Sequence, residues 1–164
     1  MTSEYRWRGQ KRDSLEVLLL NDDRARSEVS FGSWIWRYEI EFDDWGTTRA
    51  TVGTLVLERI DGDWIVDGAG RPDLAMAIDV DIVLTPFTNT LPIRRLGLDI
   101  GEHADLVMAW IDVPSLEVHP DPQRYTRLDA THYRFESLDS DFTRDLEVDA
   151  DGIVVTYPGL FERL

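Results

Sequence analysis

Trp34-Ile35-Trp36-Arg37-Tyr38-Glu39-Ile40-Glu41-Phe42 puts Trp34, Trp36, Tyr38, Ile40 and Phe42 on one side of an extended chain and Ile35, Arg37, Glu39 and Glu41 on the other. Side chains along a strand alternate with a period of two, so the pattern predicts a half-buried antiparallel strand with Arg37, Glu39 and Glu41 in water. At about 3.3 Å per residue such a strand reaches roughly 30 Å. That length suits a large curved sheet.

The same period recurs outward from this segment. Leu15 to Leu20 reads as a strand before the turn cluster Asn21-Asp22-Asp23. Thr47 to Ile60 is a β-branched run with a bulge or bend expected at Gly53. Asp61-Gly62-Asp63 is a hairpin signal leading into Trp64-Ile65-Val66. Ile78 to Leu84 alternates again, and Leu106 to Val113 is apolar on both faces, as a central strand would be. The last third reads as a meander of Arg124 to Leu128, His132 to Leu138, Phe142 to Val148 and Ile153 to Tyr157. Helix is expected only in short pieces, Thr88 to Leu96 and Pro72 to Met76. The fold class is therefore all-β and mainly antiparallel. We expect a single curved sheet forming an open or partly closed barrel, as one domain over residues 1–164.

Composition narrows the function classes. Thirty-two acidic residues against seventeen basic ones leave a formal charge of −15. Such a surface repels phosphate backbones and anionic head groups, so nucleic acid is not an expected partner. With no cysteine there is no disulfide, thiolate metal site or cysteine nucleophile. The polar stretch Met1 to Gln10 has no apolar core of the signal-peptide kind, and no apolar run is long enough to span a bilayer. A cytoplasmic protein without stable membrane insertion is the expectation.

Several residue groups carry chemistry. Asp79 and Asp81 share a strand face, about 7 Å apart, and could bracket a cation. Partnership with Arg94 or Arg95 explains them better, because like charges in one place need a counter-charge between them. Asp149-Ala150-Asp151-Gly152 lacks the remaining ligands of a calcium loop and reads as a hairpin turn. His103, His119 and His132 stand alone, and no serine lies in a nucleophile-elbow motif. The segment Thr85-Pro86-Phe87-Thr88-Asn89-Thr90-Leu91-Pro92-Ile93-Arg94-Arg95-Leu96 is different. Its two prolines argue against an uninterrupted helix or a central strand, while its hydroxyls, amide and guanidinium groups are set in a shaped loop or short helix.

That segment, preceded by Asp79-Val80-Asp81, resembles the signature of the putative glycolipid-binding domain family. So do Gln123-Arg124-Tyr125, Tyr133-Arg134-Phe135-Glu136-Ser137, Asp151-Gly152-Ile153-Val154-Val155 and Tyr157-Pro158-Gly159-Leu160. The resemblance implies an open antiparallel barrel, related in shape to bacterial lipoprotein-carrier proteins. It also implies a small helical element against the concave side, where Thr85 to Leu96 would lie. The leading expectation is non-catalytic binding or carriage of an amphipathic small molecule or lipid, without a cofactor or metal. The candidate ligand-binding residues are Trp34, Trp36, Tyr38, Phe87, Asn89, Arg94, Arg95, Tyr125 and Tyr133. Aromatic rings with a polar handle stack on sugars and cover acyl chains, although a plain core needs the same residues. Two alternatives stand beside it. One is an enzyme acting on a lipid or sugar conjugate through Asp79, Asp81 and Arg94, and the other is a protein-interaction module working through sheet edges.

Overall fold

The structure, a computed structural model, describes all 164 residues. The chain first folds as successive hairpins: β1 (Ser3–Gly9), β2 (Ser14–Leu20), β3 (Arg24–Phe31), β4 (Trp34–Asp43), β5 (Gly46–Val52), β6 (Leu55–Ile60), β7 (Asp63–Val66) and the short β8 (Ala69–Gly70). A 3-10 turn at Pro72–Leu74 leads to β9 (Ala77–Ile82) and then to α1 (Phe87–Leu96). The remaining strands are β10 (His103–Ile111), β11 (Val118–Arg127), β12 (His132–Ser137), β13 (Thr143–Val148), β14 (Val154–Tyr157) and β15 (Phe161–Arg163). All fifteen strands lie in one sheet, ordered β8-β7-β6-β5-β4-β3-β2-β1-β15-β14-β13-β12-β11-β10-β9. The two hairpin series meet where β1 pairs with β15. β9 runs parallel to β10, because α1 supplies the crossover that a parallel pair needs.

The ladder does not close into a barrel, since β8 and β9 remain its margins. Side chains bridge the gap instead. Thr47 donates its hydroxyl to Asp79 at 2.9 Å, and the Trp64 indole N–H donates to the Ala77 carbonyl at 3.0 Å. Gly46 makes the close approach possible, because a Cβ there would stand 2.4 Å from the Ile78 carbonyl oxygen. The result is an open curved sheet wrapped around α1.

β4 takes the register expected from its alternation. Tyr38 and Ile40 are buried, Arg37 is exposed, and Glu39 and Glu41 pair with Arg26 and Arg24 on the outer surface. The outer end of the strand departs from the pattern. Trp34 is 69% exposed, because it follows directly on the β3–β4 turn, beyond the edge of the core. Thr47 to Ile60 is two strands, with Gly53 in the left-handed turn between them at φ 56°. A Cβ at Gly53 would come 2.8 Å from the Trp36 ring. Two strands that the alternation does not single out are β1 and β3, whose inward sets include the small residues Gly9, Ala25 and Ser27.

The prolines of the central segment do not break it. One helix runs from Phe87 to Leu96 with Pro92 inside it, and stops at Gly97 in the left-handed region. Seven consecutive residues, Phe87 to Ile93, are buried. The part of α1 from Phe87 to Ile93 therefore keeps no face in water and fills the concave side like a plug, while its last turn brings Arg94 to the surface.

Candidate functional site

α1 divides the interior unequally. On the β1–β7 side, aliphatic residues such as Leu18, Ile40, Leu57 and Leu84 pack into one large cluster with Trp7, Trp64 and Phe87. On the β11–β15 side a smaller cluster is rich in rings, with Tyr125, Tyr133, Phe135 and Tyr157. Between the N-terminal end of α1 and this aromatic cluster lies a cavity of about 390 Å³. It reaches the surface among the turns after β1, β12 and β14, where Lys11, Arg12, Asp139, Ser140 and Leu160 line it.

One wall is polar. Asp81 on β9 and Asp121 on β11 both face the cavity. The buried amide of Gln123 bridges them, donating at 2.7 Å to Asp81 Oδ2 and at 2.7 Å to Asp121 Oδ2. Thr88 of α1 adds a hydrogen bond to Asp81 Oδ1 at 3.1 Å. Removal from water lifts the Asp81 carboxyl to about 6, and the Asp121 charge adds to the rise against the opposing bonds from Gln123 and Thr88. Asp121 is raised as well, first by burial and then by Asp139, while Gln123 and His119 act the other way. Nearby, the Trp110 and His119 rings lie 4.8 Å apart across the β10–β11 pair.

The opposite wall is apolar. Phe142 meets Phe135 edge-on at 5.9 Å, and Tyr157 meets Phe161 edge-on at 6.1 Å. All four line the cavity. Edge-to-face rings turn both rims and faces toward this space. Burial, then the Asp81 charge, holds the hydroxyls of Tyr125 and Tyr157 well above the ordinary phenol range, so both stay neutral. Asn89 of α1 lines the cavity and donates its amide to the Tyr125 hydroxyl at 2.8 Å.

Of the nine candidate residues, Asn89 lines this cavity and Tyr125 lies one hydrogen bond behind it. Trp34 is on the surface and Trp36 packs over Gly53. Tyr38 belongs to a buried network, donating its hydroxyl to Glu16 Oε1 at 2.6 Å and accepting from the Thr85 hydroxyl at 3.1 Å. Phe87 is in the aliphatic cluster, and Tyr133 lies under the Arg127 guanidinium at 5.7 Å. Arg95 is the clamp on Asp79, with two bonds of 2.9 and 3.1 Å to a carboxylate that is almost fully buried. Arg94 is exposed and donates to the Asp151 carbonyl at 2.7 Å, so it does not hold Asp79 or Asp81. The trio Asp79, Asp81 and Arg94 does not assemble as a polar site: only Asp81 reaches the cavity.

Trp110, His119, Asp121, Phe142 and Phe161 are cavity residues that the sequence reading did not select. Pro120 and Pro122 argue against a strand through His119 and Asp121. β11 tolerates both because they precede Gln123, where pairing with β12 begins. With β11 extended, Asp121 and Gln123 fall two apart on one face, which was the available signal.

A family model described as putative glycolipid-binding matches residues 4–163. Among solved structures, a DUF1089 family protein from Pseudomonas aeruginosa is 40% identical, with 92% of each chain covered and a TM-score of 0.84. No curated protein matches.

Proposed function

The chain belongs to the putative glycolipid-binding family, and from that premise we propose that it binds one amphipathic molecule, a glycolipid or a part of one, without transforming it. The observation that carries this reading is a cavity with two unlike walls, Asp81 and Asp121 on one and Phe135, Phe142, Tyr157 and Phe161 on the other. Carboxylates accept hydrogen bonds from the hydroxyls of a sugar, and ring faces and edges cover an alkyl arm. The volume lies near the lower end of the ~300–1,000 Å³ usual for small-molecule sites. It suits a head group with a short arm, or the first part of a longer chain whose remainder leaves by the mouth. No helix is long and apolar enough to cross a membrane.

Alkyl glucosides of increasing chain length test the reading, with Trp110 in the wall as the reporter. Saturable change in tryptophan emission is expected, tightening with chain length and lost in signal, though not in calorimetric heat, on Trp110→Phe. Asp81→Asn should weaken the whole series by a similar factor. Absence of saturation at millimolar glucoside would sink the proposal. Recovery of free sugar from the mixture would overturn its non-catalytic part.

A further inference from the structure

The outer surface of the β1–β4 sheet carries an aliphatic stripe that the fold leaves uncovered. Leu15, Val17 and Leu19 of β2 point outward and are 43%, 38% and 45% exposed. On β1 the residues beside them are Arg8, Arg6 and Glu4, and on β3 they are Ser30, Glu28 and Arg26. Each row is fixed by the ladder: Glu4–Leu19–Arg26, Arg6–Val17–Glu28 and Arg8–Leu15–Ser30.

We propose that this face is a self-association surface, occupied by the same face of a second copy, with the two β2 strands stacked face to face and parallel. Closed homodimers use one patch twice, related by a two-fold axis. If that axis runs along β2, β1 of one copy lies over β3 of the other. Glu4 then meets the second copy's Arg26, and Arg6 meets its Glu28, while Val17 packs on Val17. An axis across β2 would set Arg6 against Arg6 and Glu28 against Glu28, and like charges in contact suppress that mode. Packed sheets commonly keep their strand directions within about 30°, which allows the parallel mode.

Charge favours a second copy here over other parts of the surface. The chain as a whole carries −15 and repels itself. Around the stripe, however, Arg6, Arg8, Arg26 and Arg37 stand against Glu4, Glu28 and Glu39, which sums to +1. These groups already pair within the chain, Arg6 with Glu4 at 2.7 Å, Arg26 with Glu39 at 2.7 Å and Arg37 with Glu28 at 2.9 Å. Docking extends the pairs into a network without stranding a charge. Four strands of seven residues outline roughly 20 by 24 Å, about 480 Å² per copy before side-chain relief is counted, so the pair lies near the ~1,000 Å² total at the lower end of specific interfaces.

Sedimentation velocity of the full chain, from about 1 to about 100 micromolar so as to bracket a Kd on the order of 10 micromolar, tests this. The unchanged chain should reach the mass of a dimer, and Val17→Arg should hold it at the mass of one chain with an unaltered circular-dichroism melt. Arg6→Glu and Glu28→Arg should each weaken association by about tenfold or more, a loss of ~1.4 kcal/mol. The double swap Arg6→Glu with Glu28→Arg should recover it, since the charges exchange across the axis. A chain that stays single throughout overturns the proposal, as does a double swap no better than either single change. So does a single chain whose Val17 face instead binds neutral phosphatidylcholine vesicles. None of these results bears on whether the cavity binds glucosides.

Discussion

The two sides of α1 solve the same packing problem differently. Toward β1–β7 the interior is a large, mostly aliphatic cluster, whose buried carboxyls are Asp79, held by Arg95 and Thr47, and Glu16, whose Oε1 accepts from Tyr38 and Ser27 while Oε2 is buried without a partner. Toward β11–β15 the cluster is smaller and aromatic, and its charges, Asp81 and Asp121, face a cavity instead. Close-packed interiors give rigidity, whereas on the aromatic side a cavity lies between the rings and the carboxylates. One side therefore holds the helix, and the other leaves space beside it. The contrast teaches where stability and binding should separate under mutation.

The strongest way to break it is at Arg95. Removing one partner of a buried ion pair leaves the other charge uncompensated, so Arg95→Ala should cost about 3–5 kcal/mol in a urea melt. Arg94→Ala, one position away on the exposed side, should cost about 0.5 kcal/mol or less. Equal losses at the two positions would mean that Asp79 is not anchored by Arg95.

Next in size is a pH effect from Glu16. Burial raises its carboxyl from 4.5 to about 7, with Tyr38 and Ser27 hydrogen bonds opposing the rise. A pKa higher in the folded than in the unfolded chain gives stability that is complete below about 4.5 and lost as pH rises through about 7. At 1.36 kcal/mol per unit, the loss across that window is about 3 kcal/mol. Denaturation series at pH 4.5, 6 and 8 on the unchanged chain and Glu16→Gln measure it. The variant should lose most of the slope between pH 6 and 8. What it retains should lie between 3.8 and about 6, the Asp81 window. A slope unchanged by the substitution would move the buried acid elsewhere.

At the cavity wall binding should change more than stability. Phe142 is partly exposed, with the Arg144 guanidinium 4.5 Å from its ring. Phe142→Ala should cost about 1 kcal/mol, near the centre of the range for single changes. It should nonetheless weaken dodecyl glucoside by tenfold or more, because a ring that covers an alkyl arm contributes about 1.5–3 kcal/mol when buried. A larger stability loss with unchanged binding would place Phe142 in the framework and not in the site.

The contrast was only half legible in the chain. Tyr38 and Ile40 lie where period-two alternation puts them, and the terminal meander follows its Asp-rich turns. β1 and β3 were obscured because small inward residues such as Ala25 and Ser27 make a weak apolar face. The site was harder still. Alternation says which face is inside, but not whether a ring there packs or lines space: Phe87 and Phe142 look alike in sequence, yet one is sealed in the core and the other borders the cavity. Arg94 and Arg95 were likewise inseparable until the helix turned one toward Asp79.

The pairing of Trp7 with Arg163 along the β1–β15 seam has a kinetic consequence. Every other junction in the sheet, apart from the α1 crossover, joins neighbours in sequence and can zip locally. The seam cannot form until β15 is present, and the entropy of closing so long a loop must be met before its contacts help. Until then the margins of β1 and β14 lie open as unpaired templates for other chains.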